Sequence, residues 1–169
     1  SEIYTLHDEL FSLLESAEYL VSLSKRTWGI EEYLVRDSGY RSMCGQSRMP
    51  TTQHVLLHGH CYQKARALSP DGQPVGVLAS QRVLEEAGYN VEVIDSGCCG
   101  MAGAFGYEAE HYDLSTQIGE LALLPAVRNA AEADLITAPG ASCRTQIKDG
   151  TGRTAEHPIV LVARRFGFI

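Results

Sequence analysis

The stretch from Asp95 to Glu108, DSGCCGMAGAFGYE, constrains this chain more than any other. It places two adjacent cysteines, Cys98 and Cys99, and four glycines between a run that reads as a strand and a run that reads as a helix. Gly97, Gly100, Gly103 and Gly106 recur at every third position, and each allows backbone angles or close approaches that a Cβ would block. A vicinal cysteine pair has few uses: two metal ligands, a strained vicinal disulfide, or two sulfurs that bridge different irons of one cluster. Backbone with few side chains, lying beside thiolates, can aim N–H groups at sulfur, which is how proteins stabilise an anionic metal–sulfur centre.

The flanking sequence sets the fold. The run HVLLHGHC over 54–61 predicts a buried parallel strand, with Cys61 opening a short helix to Ala65. A helix over 78–87 stopped by Gly88, a strand over 91–95, and a mostly helical segment over 108–132 split by Pro125 follow. A strand over 134–138, a helix from about Cys143, a loop over 149–156 and a final helix over 158–166 complete the series, with Pro158 in a first turn. This order predicts an α/β fold, a parallel sheet with flanking helices and right-handed crossovers. Ligands bind such sheets at the carboxyl ends of the strands. Cys61, Cys98, Cys99 and Cys143 all follow a strand, so their convergence on one site is the economical reading.

Upstream, Leu10, Leu13, Leu14, Ala17, Leu20, Val21 and Leu23 predict one amphipathic helix over 7–25, and a short helix over 30–35 follows. Residues 37–52, rich in Ser, Arg, Gly and Met, predict a connecting loop with Cys44 as a bystander thiol. Residues 1–50 are thus expected to be a helical segment and loop packed on an α/β domain over 51–169, together one domain and a fragment of a longer protein.

Composition narrows the function. With 169 residues, 44% of them hydrophobic and 21% charged, the chain can bury one core. A net charge of −7 argues against nucleic-acid binding, which needs a basic surface. No apolar run approaches the roughly 20 residues of a membrane span. Five cysteines make an odd count for a disulfide framework and point to a reducing compartment. Their long separations exclude a zinc ribbon built on Cys-x-x-Cys pairs. The glycine-rich loop matches neither dinucleotide nor P-loop spacing, so a phosphate site is disfavoured.

Three stretches in order, His58-Gly-His-Cys61, Gly97-Cys-Cys-Gly-Met-Ala-Gly-Ala-Phe-Gly-Tyr-Glu108 and Ser142-Cys-Arg-Thr-Gln-Ile147, resemble the cysteine-rich "CCG" domain. That domain occurs in a subunit of heterodisulfide reductase, in the membrane-anchor subunit of anaerobic glycerol-3-phosphate dehydrogenase and in iron–sulfur subunits of glycolate and lactate oxidases. The middle motif is most similar to the C-terminal part of large FAD-linked iron–sulfur oxidases. The resemblance, over 51–166, implies an electron-transfer module. A flavin oxidises a 2-hydroxy acid of the lactate, glycolate or 2-hydroxyglutarate type, and electrons pass through iron–sulfur centres to a quinone or other acceptor. It implies a [4Fe-4S] cluster, or in some repeats zinc, on Cys61, Cys98, Cys99 and Cys143. FAD would lie only in a part of the protein outside this sequence, and the flavin domain and other iron–sulfur domains would be its partners. The expected location is cytoplasmic, with any membrane contact peripheral at the inner face. The family pattern closes on Cys-x-x-Cys, whereas this chain has Gly140-Ala-Ser-Cys143, so four cysteines rather than five are available. By itself the chain is not expected to turn over a hydroxy acid.

Around the cysteines, the thiolate set suits iron–sulfur or zinc and not magnesium or calcium. His58 and His60 flank Gly59 at the end of the strand, and His60, beside Cys61, is the better candidate for a ligand or supporting donor. Lys64 and Arg144 either favour the thiolates electrostatically or form surface salt bridges. Gly97 and Gly100 shape the loop around the sulfurs, and Glu108 is either a helix-start carboxylate or a proton acceptor. Two further functions compete with the redox module: a redox-silent scaffold holding zinc on the same cysteines, and a thiol–disulfide module cycling Cys98 and Cys99.

Overall fold

The computed structural model describes residues 2–7, 9–14, 17–46 and 51–169. Four short strands, β1 (His54–Leu57), β2 (Asn90–Val93), β3 (Leu135–Thr137) and β4 (Ala155–Glu156), form one sheet in the order β2-β1-β3-β4. Every pairing is parallel. Helices α6 (Cys61–Lys64) and α7 (Gly76–Glu86) link β1 to β2, and α8 (Tyr112–Glu120) and α9 (Leu123–Asn129) link β2 to β3. Helix α10 (Ala141–Thr151) links β3 to β4, and α11 (Pro158–Arg165) follows. The α/β class and the flanking helices are as the hydrophobic pattern predicts.

The sheet separates two apolar layers. Val55 and Leu56 are neighbours on β1 and alternate between them, as strand geometry requires. Leu56 packs with Met101, Leu123, Val127 and Ile147, a layer that also holds Cys99 and Cys143. Val55 packs with Tyr40, Val83, Leu84 and Leu161 on the other side. Pro125 sits in the first turn of α9, where its missing N–H is unneeded, so the expected long helix is two helices.

Three expectations change. The single helix over 7–25 is instead α1 (Glu2–Thr5), α2 (Glu9–Leu13) and α3 (Ala17–Lys25), with residues 8, 15 and 16 outside the described set. Leu13 and Leu14, which the helical pattern assigned to a buried face, are 73% and 51% exposed. The loop expected over 37–52 contains α5 (Ser38–Gln46), and residues 47–50 lie outside the described set. Asp37 caps α5 by accepting from the Tyr40 N–H at 2.7 Å, and the Tyr40 hydroxyl donates to Val83 O at 2.6 Å. Those two bonds and burial outweigh the weak helix propensity of Ser and Gly. Finally, the loop over 149–156 ends in β4, where Thr137 Oγ1 donates to Glu156 O at 2.8 Å. Two residues are too few to show alternation in sequence.

The short helix α4 (Ile30–Leu34) is tied to the α/β layers through one buried carboxylate. Glu32, 2% exposed, accepts from the Gly76 N–H at 2.9 Å, the Gly29 N–H at 3.2 Å and Arg66 Nε at 3.3 Å. Burial alone would raise its pKa, but the Gly76 N–H, the Arg66 charge and the Gly29 N–H together hold it below the ordinary carboxylate value of 4.5. A folded pKa below the unfolded one gives stability that is complete above the unfolded value and drains away as pH falls through the folded one. Glu32→Ala should therefore cost about 2–4 kcal/mol in urea unfolding at neutral pH, and the deficit against wild type should shrink as pH is lowered below about 4.

Candidate metal centre

Leu57 ends β1 and pairs with both Val93 and Thr137, so the loops after three strands leave from one level of the sheet. His58 continues the parallel pattern with its N–H donating to Thr137 O at 2.9 Å. Its ring is 1% exposed. Nδ1 lies 2.9 Å from Ser96 Oγ. That hydroxyl faces Ile94 O at 3.5 Å and receives Lys64 Nζ at 3.3 Å. With its own proton directed at a carbonyl, Ser96 Oγ accepts from Nδ1–H, which leaves the Nε2 lone pair free. Nε2 is buried with no hydrogen-bond partner among the described residues. A ring nitrogen of His58 and the sulfurs of Cys99 and Cys143 all lie within 4.8 Å of one another.

All five cysteines are free thiols. Cys99 and Cys143 are buried, at 4% and 2% exposure, Cys98 is half-buried and Cys61 is exposed at the start of α6. The Cys143 thiol beside Cys99 pushes Cys99 down, against burial and with help from the Met101 N–H. The same contact, then burial, pushes Cys143 up. Burial and the nearby Cys98 and Cys99 raise Cys61. Cys61, Cys99 and Cys143 thus each feel a neighbouring sulfur. The Gly100 N–H donates to Cys98 Sγ at 3.3 Å, and the Met101 and Tyr62 N–H groups favour the charged forms of Cys99 and Cys61.

The supporting residues are placed differently from their simplest reading. Lys64 Nζ donates to the carbonyls of Ser96 and Gly97, the latter at 2.9 Å. It clamps the loop leading into Cys98, and Gly97 takes part through its carbonyl. Arg144 Nη1 donates to Ala138 O at 2.9 Å and Pro139 O at 2.7 Å, bracing the turn before Cys143. Gly100 has φ +98°, and a Cβ there would strike Ser115 O and come within 3.2 Å of Gln146 Nε2. A Cβ on Gly140 would meet the His60 ring and come within 2.8 Å of Cys143 Sγ. The His60 ring thus occupies the space that a side chain at 140 would take. His60 also caps α6, its Nδ1 accepting from the Tyr62 N–H at 3.3 Å and lying 3.8 Å from Cys61 Sγ. Of the two histidines it is His58 that reaches the buried thiols, because it continues β1 on the face of Leu56, the layer that holds Cys99 and Cys143, whereas His60 lies beyond the strand and caps α6. Glu108 lies apart from the sulfurs, exposed and 2.7 Å from His111 Nδ1. Cys44 lies in the other apolar layer, beside Tyr40.

The donor set fits a soft cation: thiolates and one imidazole nitrogen, with N–H groups turned toward the sulfurs. Residues 55–148 match the cysteine-rich domain family CCG, more than half of the chain. This chain belongs to the CCG cysteine-rich domain family. The CCG chain is similar to a subunit of the anaerobic glycerol-3-phosphate dehydrogenase of Escherichia coli, with 39% identity over 79 residues, 46% of this chain and 19% of the relative. It is also similar to the D-2-hydroxyglutarate dehydrogenases of Escherichia coli, 32% identical over 60% of this chain and 9% of the relative, and of Pseudomonas putida, 30% identical over 63% and 10%. The chain spans a fifth or less of these relatives.

Ser96, which orients His58, and Gln146, which donates to Ser115 O at 3.1 Å behind the glycine loop, were not legible as site residues. A serine directly before Gly-Cys-Cys was the available signal for the first. In metal-free protein, iodoacetamide at pH 8 should label Cys61 before Cys143, which should be slower by on the order of 100-fold because its buried sulfur is reached only by local opening. Peptide mass mapping over time reads this order.

Proposed function

We propose that this chain is the iron–sulfur electron-transfer module of a larger FAD-linked oxidoreductase acting on a 2-hydroxy acid of the lactate, glycolate or 2-hydroxyglutarate type. Cys61, Cys98, Cys99 and Cys143 hold a [4Fe-4S] centre, with His58 Nε2 as an additional nitrogen donor. The flavin and the other iron–sulfur centres belong to partner domains, and a quinone or other acceptor takes the electrons. The grouping of a His58 ring nitrogen with the Cys99 and Cys143 sulfurs, and the opening of Cys61 and Cys98 onto the same cavity as Cys99, support this reading. Dehydrogenase relatives, two of which are named for a 2-hydroxy acid, support the substrate class. Among the described residues no helix is long and apolar enough to cross a membrane, and the membrane contact in this reading is peripheral.

When bound, the cluster supplies a group that takes up and releases single electrons. The chain does the rest. The Tyr62, Gly100 and Met101 N–H groups offset negative charge on the sulfurs. Lys64 adds a positive charge while fixing the loop, and Ser96 fixes the tautomer of His58. A second reading, a zinc scaffold without redox activity, is favoured by one feature: an imidazole nitrogen set beside two thiols suits zinc as well as iron.

Metal and sulfide analysis with an absorption spectrum, on protein purified without oxygen, tests both. The iron–sulfur reading expects about four irons per chain and a reducible visible band, lost in Cys98→Ser. Zinc without a visible band selects the scaffold, and a chain that takes up neither metal contradicts both. Ser96→Ala, which frees the His58 ring, should weaken metal affinity by about 10–100-fold in competition with a chelator while leaving the apoprotein folded.

A further inference from the structure

A cavity of about 990 Å³ borders Cys61, Cys98 and Cys99, and the same cavity is lined by two groups that the metal centre does not use, Glu31 and His157. Glu31 belongs to α4, outside the residues that match the family. It is 5% exposed, and its Oε1 has no hydrogen-bond partner among the described residues. A buried polar atom left unpaired is costly and calls for a partner. His157 caps α11, its Nδ1 accepting from the Ile159 N–H at 3.2 Å. The ring proton of the neutral imidazole therefore sits on Nε2, and Nε2 stands 3.7 Å from Glu31 Oε1.

That gap is too long for a hydrogen bond between the two groups and suits a third atom between them. Two donors that share one acceptor oxygen, each about 2.8 Å from it, stand roughly 4–5 Å apart, so a small opening of this gap seats the oxygen. Burial, then the adjacent Glu32, raises the pKa of Glu31. Burial, then Arg144, lowers that of His157. Both shifts favour the neutral forms, an acid O–H and an imidazole N–H, which both donate. Two donors facing one gap fit a shared acceptor, such as the oxygen of a carbonyl group. Aromatic side chains also line the cavity. Tyr62 lies 5.8 Å from Tyr4 and 5.5 Å from His60, each pair within 7° of parallel, and Ile3 and Ile30 add apolar surface.

We propose that this cavity binds a small planar carbonyl compound, its oxygen held between Glu31 Oε1 and His157 Nε2 and its ring lying along the Tyr4–Tyr62–His60 ladder. The site shares its cysteines with the proposed metal centre, but binding requires only the pocket. A bound molecule there would lie against the sulfurs.

Acetophenone and ethylbenzene, which are similar in shape and differ by the carbonyl oxygen, provide the test. Ligand-observed NMR titrations of the whole chain, before and after anaerobic metal loading, should show acetophenone binding about tenfold tighter. Glu31→Gln, whose amide N–H₂ donates from the same position, should keep that preference. Glu31→Leu should remove it by weakening acetophenone while ethylbenzene still binds at least as well as to the native chain, a result that also reports an intact pocket. Equal binding of the two probes by the native chain, or a preference that survives Glu31→Leu, overturns the proposal. Metal content measured on the same samples separates the two ideas. A carbonyl preference in a chain that takes up no metal retains the pocket and removes the metal centre, and loaded protein without the preference does the reverse.

Discussion

Parallel pairing of β1 with β2 on one side and β3 on the other brings the chemistry of this chain together. Leu57 is in register with Val93 and with Thr137, so the segments carrying Cys61, Cys98–Cys99 and Cys143 leave the sheet at one edge. Parallel strands need long crossovers, and here those crossovers are the helices that make the two apolar layers. The long sequence separations between the cysteines therefore follow from topology. A change that shifts β1 by one residue would exchange Val55 and Leu56 between the layers and misplace His58 with them.

At that edge the fold concentrates polar groups in a site it also keeps partly dry. Cys99 and Cys143 belong to an apolar layer with Met101 and Ile147, while N–H groups, the Lys64 clamp and the Ser96–His58 contact approach from the loops. Low dielectric strengthens each of these interactions, and it also makes an unpaired thiolate or imidazole unfavourable. A soft cation resolves both demands by taking the place of the protons. Gly100 and Gly140 keep the backbone close enough for this, the first through a left-handed φ and the second by leaving room for His60 beside Cys143.

Much of this is legible in the amino-acid sequence. The apolar runs at 54–57, 91–93 and 135–137 announce strands, and a cysteine after each announces the site. What escaped depends on contacts distant in sequence. Helix α5 is held by Tyr40 reaching Val83, and β4 exists because Thr137 and Ala138 bond to Glu156 O. The choice between His58 and His60 turns on where β1 stops, a boundary that the continuous run 54–61 does not mark. Ser96 meets His58 across 38 positions. Glu31 and His157 meet from opposite ends of the chain, and neither carries a motif. The membership of the CCG family was legible from its three motifs, and the departure at Gly140 acquires a physical partner in the His60 ring only in three dimensions.

X-ray absorption at the metal edge, on chain purified without oxygen, tests the central claim most directly, because it reports which atoms surround the metal. The account predicts a first shell dominated by sulfur with a nitrogen contribution that disappears in His58→Ala. A first shell of oxygen, or one that His58→Ala and Cys99→Ser leave unchanged, would contradict it.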